Sequence, residues 1–218
     1  MTSRFTYRTS KCIMCGNYVE ETIFNGPTHY GFHDLDLRPT GILRIAMPHL
    51  IHYCPKCGYA SPKIDTMENE KIKEFVASKQ YIEAFKKLKE STGKPFILYG
   101  LILKELGQTI KAGHTFLRAA WMFDDQKKEK IARTCRLIAI NLIERNVPLR
   151  KEHAMMLIDM KRRIGNFYGA LDAMEFYSDK LKGGMRFEKQ WAAFERKLCY
   201  EKDARAYSIK DMMNDGED

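Results

Sequence analysis

The sequence predicts a mainly α-helical protein that carries a small β-structured zinc ribbon in its N-terminal part. Two observations lead to this fold class. Two Cys-x-x-Cys pairs lie before residue 60, and from Thr66 onward the apolar residues recur with a helical period of about 3.6. We therefore expect a four-cysteine ribbon over residues 1–65, antiparallel helical hairpins over 66–210 and a mobile acidic tail over 211–218.

Composition and charge limit the classes of protein that fit. The 218 residues include 44% hydrophobic and 30% charged residues, which excludes a disordered chain and is enough for a sizeable core. The N-terminus lacks the apolar core of a secretory signal, and no apolar run is long enough to cross a bilayer. We expect a cytoplasmic protein with no membrane partner. Its net charge of +9 allows an acidic or nucleic-acid partner, although a solvated helical surface also explains it.

The first four cysteines have the spacing of two zinc knuckles. Cys12-Ile-Met-Cys15 and Cys54-Pro-Lys-Cys57 each place two thiols on one tight turn, and each is followed by Gly, which suits the positive φ of such a turn. Four thiolates close a tetrahedral site, so we expect one structural Zn²⁺ bound by Cys12, Cys15, Cys54 and Cys57. A redox role is the alternative, but neither pair opens a helix within a βαβ pattern.

The segment between the cysteine pairs has the features of short hairpins. Turn signals separate β-like stretches over Tyr18–Phe24, Ile42–Ala46 and Leu50–Tyr53. A zinc ion closed by four cysteines needs no histidine, so we expect the histidines of this region to pack on the ribbon or face solvent. They are His29, His33, His49 and His52.

The remainder of the chain shows apolar stripes at helical spacing, separated by short breaks that contain Gly or Pro. Such breaks favour antiparallel neighbours. Leu106-Gly107, Ala119 and Phe123 resemble a tetratricopeptide repeat, and a weaker match begins at Ile164-Gly165. The two glycines are not one repeat length apart, so we expect tetratricopeptide-like helical pairs and not a regular array.

Two further cysteines, Cys135 and Cys199, lie on apolar stripes of the helical region. A free cysteine in such a position behaves as a small hydrophobic residue. We therefore expect both to lie in the core and neither to be reactive.

The run Cys54-Pro-Lys-Cys57-Gly-Tyr-Ala directly after a strand resembles a bacterial family catalogued as domain of unknown function 2225. The earlier Cys12/Cys15 pair and the downstream helices agree with that family in order, so the resemblance covers most of the chain. It implies a cytoplasmic zinc-binding protein in which the four cysteines are the ligands. It carries no catalytic residue over to this sequence.

The sequence favours a binding protein over an enzyme. It contains no nucleophile–base pair, open metal site or nucleotide-binding motif. Our leading interpretation is a non-enzymatic protein whose ribbon is joined to a helical scaffold that binds a protein or peptide. The alternative is a nucleic-acid-binding protein that uses the ribbon and a basic helical surface.

Basic residues crowd the middle helices, and two interpretations follow. If they converge on one concave face, they would bind an acidic peptide or a terminal carboxylate, because Arg grips a carboxylate with two parallel hydrogen bonds. If they point to different faces, they only solvate the helices. The residues are Arg133, Arg136, Arg145, Arg150, Lys151, Lys161, Arg162 and Arg163.

Overall fold

The computed structural model describes residues 4–26, 33–67, 69–146, 148–182 and 186–215. The strands are β1 (Phe5–Lys11), β2 (Tyr18–Phe24), β3 (His52–Tyr53) and β4 (Ala60–Ser61). The helices are α1 (Gly41–Ala46), α2 (Lys71–Ala77), α3 (Lys79–Lys87), α4 (Lys94–Glu105), α5 (Thr109–Asp125), α6 (Glu129–Glu144), α7 (Lys151–Arg163), α8 (Phe167–Phe176), α9 (Ser178–Lys182), α10 (Arg186–Tyr200) and α11 (Ile209–Asn214). The predicted fold class is confirmed: a small antiparallel β structure with four clustered cysteines precedes a mainly helical chain.

The chain divides into two compact units, one of residues 1–28 and 45–142 and the other of residues 29–44 and 143–218. This division differs from the expected boundary after residue 65. The reason is that the ribbon packs on the helices that follow it: β3 and β4 lie against α4, and the Tyr81 hydroxyl of α3 donates to the carbonyl oxygen of Gly58 at 2.9 Å.

The first unit begins with two hairpins. Strands β1 and β2 pair antiparallel, from Phe5 opposite Phe24 to Lys11 opposite Tyr18. Strands β3 and β4 form a shorter antiparallel pair. Each hairpin carries one cysteine pair in its turn, which is the arrangement expected of a zinc ribbon.

A buried carboxylate joins the two hairpins. Glu21 of β2 is fully buried and accepts hydrogen bonds from the Arg8 Nε at 2.7 Å, from the Ser10 hydroxyl and from the backbone N–H of Ile64 at 3.0 Å. Burial opposes ionisation of Glu21, but these donors outweigh it and lower its pKa. Because Ile64 follows β4, Glu21 fixes the first hairpin to the end of the second.

The strand predicted over Ile42–Ala46 is wrong, because the structure has helix α1 there. The Arg44 side chain donates from Nε to the carbonyl oxygen of Pro39 at 3.1 Å and pairs with Asp34, which ties the helix to the segment before it. A five-residue segment with four apolar residues is too short to distinguish a strand from a helical turn by periodicity alone. Strand β1 was missed by the sequence analysis, whereas β2 lies where it was predicted.

Helices α4 and α5 form a closely packed hairpin in the first unit. A Cβ atom on Gly100 of α4 would lie 2.9 Å from Cε2 of Phe116 on α5, so only glycine allows this approach. The assignment of this hairpin to a tetratricopeptide-like repeat stays a prediction.

In the second unit, α7 and α8 form a hairpin and α10 packs against both. Leu35, which precedes α1, is buried there: its N–H donates to the carbonyl oxygen of Tyr207, and its carbonyl oxygen accepts from the Trp191 indole at 3.3 Å. These bonds anchor residues 33–44 against the C-terminal part of the unit.

A buried ionic cluster lies at the centre of the second unit. The Arg162 guanidinium, fully buried, donates to Glu195 at 2.8 Å, to Asp159 and to the carbonyl oxygens of Asp203 and Arg205. One cation faces two carboxyl groups. Burial, together with the neighbouring Asp159, raises the pKa of Glu195 well above its usual range, which favours its neutral form beside the Arg162–Asp159 pair.

The C-terminal segment differs from the mobile tail expected over 211–218. Residues up to Asn214 continue helix α11, which begins at a capping box formed by Ser208 and Asp211. Met212 is only 4% exposed, so this helix buries apolar surface. Residues 216–218 lie outside the described residues.

We predict that Glu195→Gln keeps the cluster intact and flattens the pH dependence of stability. The substituted amide would still donate to Asp159 and accept from Arg162. Because the pKa of Glu195 is raised in the folded wild type, the folded chain keeps a proton on Glu195 at pH values above about 4.3, where the unfolded chain has released it. Wild-type stability should therefore fall relative to E195Q as pH rises from that range. Urea unfolding at pH values between about 5 and 8 measures this difference.

The control is Glu195→Leu, which removes the hydrogen bond between Arg162 and Glu195 but leaves Arg162 paired with Asp159, and should cost about 1–3 kcal/mol. Parallel pH profiles for wild type and E195Q would show that Glu195 is ionised in the folded protein.

Candidate metal centre

The first knuckle is a tight turn between β1 and β2. The backbone N–H of Cys12 donates to the carbonyl oxygen of Asn17 at 2.8 Å, and the N–H of Gly16 donates back to the carbonyl oxygen of Cys12 at 2.9 Å. Gly16 has φ = +72°, where a side chain would be strained. The turn therefore points Cys12 and Cys15 to the same side.

The second knuckle repeats this hydrogen-bond pattern. The N–H of Cys54 donates to the carbonyl oxygen of Tyr59 at 2.8 Å, the N–H of Gly58 donates back to Cys54 at 2.8 Å, and Gly58 has φ = +79°. The positive φ expected of the glycine after each cysteine pair is confirmed.

Backbone N–H groups point at the sulfurs, as the turn geometry requires. The N–H groups of Met14 and Cys15 face the Cys12 sulfur, and those of Lys56 and Cys57 face the Cys54 sulfur. Hydrogen bonds of this kind favour the ionised form of a thiol. These hydrogen bonds favour the thiolate of both leading cysteines; they outweigh burial at Cys54 but not at Cys12.

The two knuckles bring four sulfurs to one point. All four Sγ atoms lie within 4.8 Å of one another, with 3.8 Å between Cys12 and Cys57 and 3.6 Å between Cys15 and Cys54. A tetrahedral metal with metal–sulfur bonds of about 2.3 Å would hold its sulfurs about 3.8 Å apart. The cluster therefore has the dimensions of a four-thiolate metal site.

The repulsion between ionised sulfurs in the cluster also favours binding of a cation. Burial raises the pKa of Cys12 and Cys57, and the neighbouring sulfurs add to the effect. Burial opposes ionisation of Cys54 too, but the N–H groups of Cys57 and Lys56 outweigh it and lower its pKa. Four ionised thiols this close repel one another, so a bound metal ion is what allows all of them to be thiolates.

Aromatic side chains hold the second knuckle in place. A Cβ atom on Gly58 would lie 2.7 Å from the Phe85 ring, so Phe85 covers the glycine directly. Tyr59 is buried and its hydroxyl donates to the carbonyl oxygen of Thr66 at 2.6 Å. These contacts, with the Tyr81 bond to Gly58, explain why Gly-Tyr-Ala follows the second cysteine pair.

Sequence reasoning missed the charged residue next to this knuckle. Lys94, at the start of α4, is 5% exposed and its Nζ lies 4.6 Å from the Phe85 ring centre and 5.0 Å from that of Tyr53. Its ammonium also pairs with Glu90 at 2.6 Å. A lysine in the sequence Gly-Lys-Pro gives no signal of this cation–π contact, because the rings come from distant segments.

The histidines are not part of the cluster. Within the part of the chain that the structure describes, the four cysteines are the group that could hold a metal ion, and no histidine belongs to it. His52 pairs with Ser61 between β3 and β4, and His49 packs edge-on against Phe5. Burial lowers the pKa of both histidines. His29 lies outside the described residues.

Cys135 and Cys199 do not belong to the cysteine cluster. Each is only 2% exposed, and burial raises the pKa of each thiol to about 12. The expectation that both are buried is confirmed, and neither is poised to react.

The basic residues of the middle helices are largely used inside the protein. Arg136 is buried and pairs with Asp124, and Arg162 is the centre of the ionic cluster described above. Lys151 and Lys161 also form ion pairs, with Glu188 and Glu144. Half of the predicted set therefore has carboxylate partners within the chain. Arg136 and Arg162 are therefore not available to the shared concave face proposed for this set.

The described structure has no helix with both the length and the apolar character that a membrane span requires. Its fold and site define a class: a ribbon with four clustered cysteines that could bind a metal ion, followed by helices. A family model described as an uncharacterized protein conserved in bacteria (DUF2225) matches residues 6–208. The chain belongs to this family. No curated protein and no solved structure matches it.

We predict that the purified chain binds one metal ion and that Cys54→Ser loses it. A serine hydroxyl is a poor substitute for a thiolate, and structural sites of this kind contribute about 10 kcal/mol or more to folding. Elemental analysis after dialysis measures the metal content. Cys135→Ala is the matched control, because it removes a buried thiol outside the cluster and should retain the full equivalent. Loss of metal from both variants, or from neither, would contradict the assignment.

Proposed function

We propose that this protein is a non-enzymatic, zinc-dependent interaction module of the cytoplasm. One structural Zn²⁺ would bind Cys12, Cys15, Cys54 and Cys57. Support comes from the donor set: four sulfurs at tetrahedral spacing suit zinc, which has no geometric demand beyond four-coordination and takes thiolates readily. The metal would supply cross-linking of the two hairpins and no reaction chemistry.

The closed coordination shell supports a structural role. Catalytic zinc keeps three protein ligands and an open position, whereas here four cysteines fill the tetrahedron. The His49 ring packs against Phe5, and neither His49 nor His52 belongs to the cysteine cluster. We therefore assign the ribbon to holding a surface in place for a partner.

A protein or peptide partner is favoured over nucleic acid. Phosphate binding draws on several free Lys and Arg side chains. In this chain Arg136 and Arg162 are buried in ion pairs, and Lys151 and Lys161 are also paired. Fewer free basic side chains therefore remain on the helices to bind phosphates, as the nucleic-acid alternative requires.

The test is capture from a native extract by the tagged, zinc-loaded full chain, with and without nuclease. We expect proteins that stay bound after nuclease treatment and are absent when Cys54→Ser replaces the wild type. Cys135→Ala is again the control and should capture the same proteins.

Two results would oppose the proposal. Loss of every captured protein on nuclease treatment, with steep weakening as salt rises, would favour the nucleic-acid alternative. Equal capture by Cys54→Ser would show that the metal site has no part in the interaction.

A further inference from the structure

A groove of about 400 Å³ lies beside the metal cluster in the first unit. Three parts of the chain line it: the first knuckle, the second knuckle, and helices α2 and α3. The lining residues are Met14, Lys56, Cys57, Lys73, Val76, Ala77, Ile82, Phe85 and Lys86. Its volume falls within the range of sites that bind small molecules or side chains, about 300–1,000 Å³.

The floor of the groove is apolar. Val76 is buried, and Ile82 and Phe85 are half-buried. Phe85 is held rigidly, because its ring lies against Gly58 and under the Lys94 ammonium. An apolar group that enters the groove therefore meets a surface that needs little rearrangement, which lowers the cost of binding.

The rim is basic. The charged side chains on the rim of the groove are Lys56, Lys73 and Lys86, and all three are exposed, whereas the half-buried Cys57 belongs to the cysteine cluster. Among the described residues, no carboxylate pairs with any of the three. Their charges are thus available to a ligand, in contrast to Lys151 or Lys161 on the later helices.

The groove depends on the closure of the metal site. Met14 comes from the first knuckle, whereas Lys56 and Cys57 come from the second, and the two turns are far apart in sequence. The four-cysteine cluster joins the two turns directly, in addition to the hydrogen bonds that Ile64 makes with Glu21 and Ile13. A ligand of the groove should therefore bind the metal-loaded protein and not the metal-free form.

We propose that this groove binds a peptide segment of a partner protein in which an apolar side chain is flanked by Asp or Glu. The apolar side chain fills the floor, and the carboxylates face the lysines of the rim. This inference rests on the proposed interaction function and names its surface and partner class. Nucleic acid fits less well, because its phosphates could use the lysines but its backbone offers nothing for the apolar floor.

The experiment is a selection of peptides from a random phage-displayed library on the zinc-loaded full chain. The most enriched peptide is then synthesised with a fluorescent label and its Kd is measured by polarisation. We expect enrichment of peptides that combine Leu, Ile or Phe with adjacent acidic residues. Zinc removal should weaken binding at least about tenfold.

Two charge-reversed double variants make a matched pair. Lys73→Glu with Lys86→Glu alters the rim and should weaken binding at least about tenfold, which corresponds to about 1.4 kcal/mol. Lys71→Glu with Lys87→Glu changes the same two helices by the same charge but touches no lining residue, and should change Kd less than about threefold. Zinc content is measured for both.

A variant of the floor, Ile82→Asn, keeps the test decisive if the rim variant folds poorly. It should weaken binding while zinc content and helicity are unchanged. The proposal is overturned if no peptide is enriched, if enriched peptides lack acidic residues, or if single-stranded DNA displaces them.

The experiment distinguishes a wrong assignment of the binding site from a wrong proposed function. If selected peptides bind in a zinc-dependent way but equally to the rim variant and its control, the interaction function stands and this groove is not its site. If zinc removal has no effect on any enriched peptide, the proposed function itself fails.

Discussion

The ribbon depends on one constraint: four cysteine sulfurs converge on one point, and their ionised forms repel one another. Two turns with the same backbone hydrogen bonds place Cys12, Cys15, Cys54 and Cys57 within 4.8 Å of one another. Such a cluster is stable as thiolates only around a cation. The hairpins themselves are short, and β3–β4 pairs only two residues on each strand. A two-stranded hairpin of this length is marginal alone, so its stability must come from the cysteine cluster and from its packing against α4.

The ribbon is then fixed to its surroundings by a few buried polar contacts. Glu21 connects the first hairpin to Ile64, and Tyr81 connects α3 to the carbonyl oxygen of Gly58. Because the Phe85 ring of α3 packs on the same glycine, a change in the conformation of the knuckle would displace α3. The second knuckle and the helical wall of the groove therefore move together. Under the proposed function, a structural metal at the cysteine cluster would affect binding through this connection and not through reaction chemistry.

The sequence predicts the clustering of the four cysteines well because the geometry of each knuckle is local. Cysteine spacing and the following glycine describe each knuckle completely. The sequence predicts poorly what depends on distant partners. Arg162 resembles a surface charge until Asp159 and Glu195 are seen around it. The helical segment α1 resembles a strand because its four apolar residues are too few to show a clear period. Met212, expected in a mobile tail, is buried by a short helix that needs tertiary contacts in addition to its capping box.

X-ray absorption at the zinc edge of the purified protein tests the central claim most directly. The account predicts four sulfur neighbours at about 2.3 Å and no nitrogen or oxygen in the first coordination shell. In Cys54→Ser, any residual zinc should have lost one sulfur neighbour. A wild-type spectrum with a histidine nitrogen or a water oxygen bound to the metal would contradict the closed, structural site. It would also remove the argument that this ribbon holds a surface and does no chemistry.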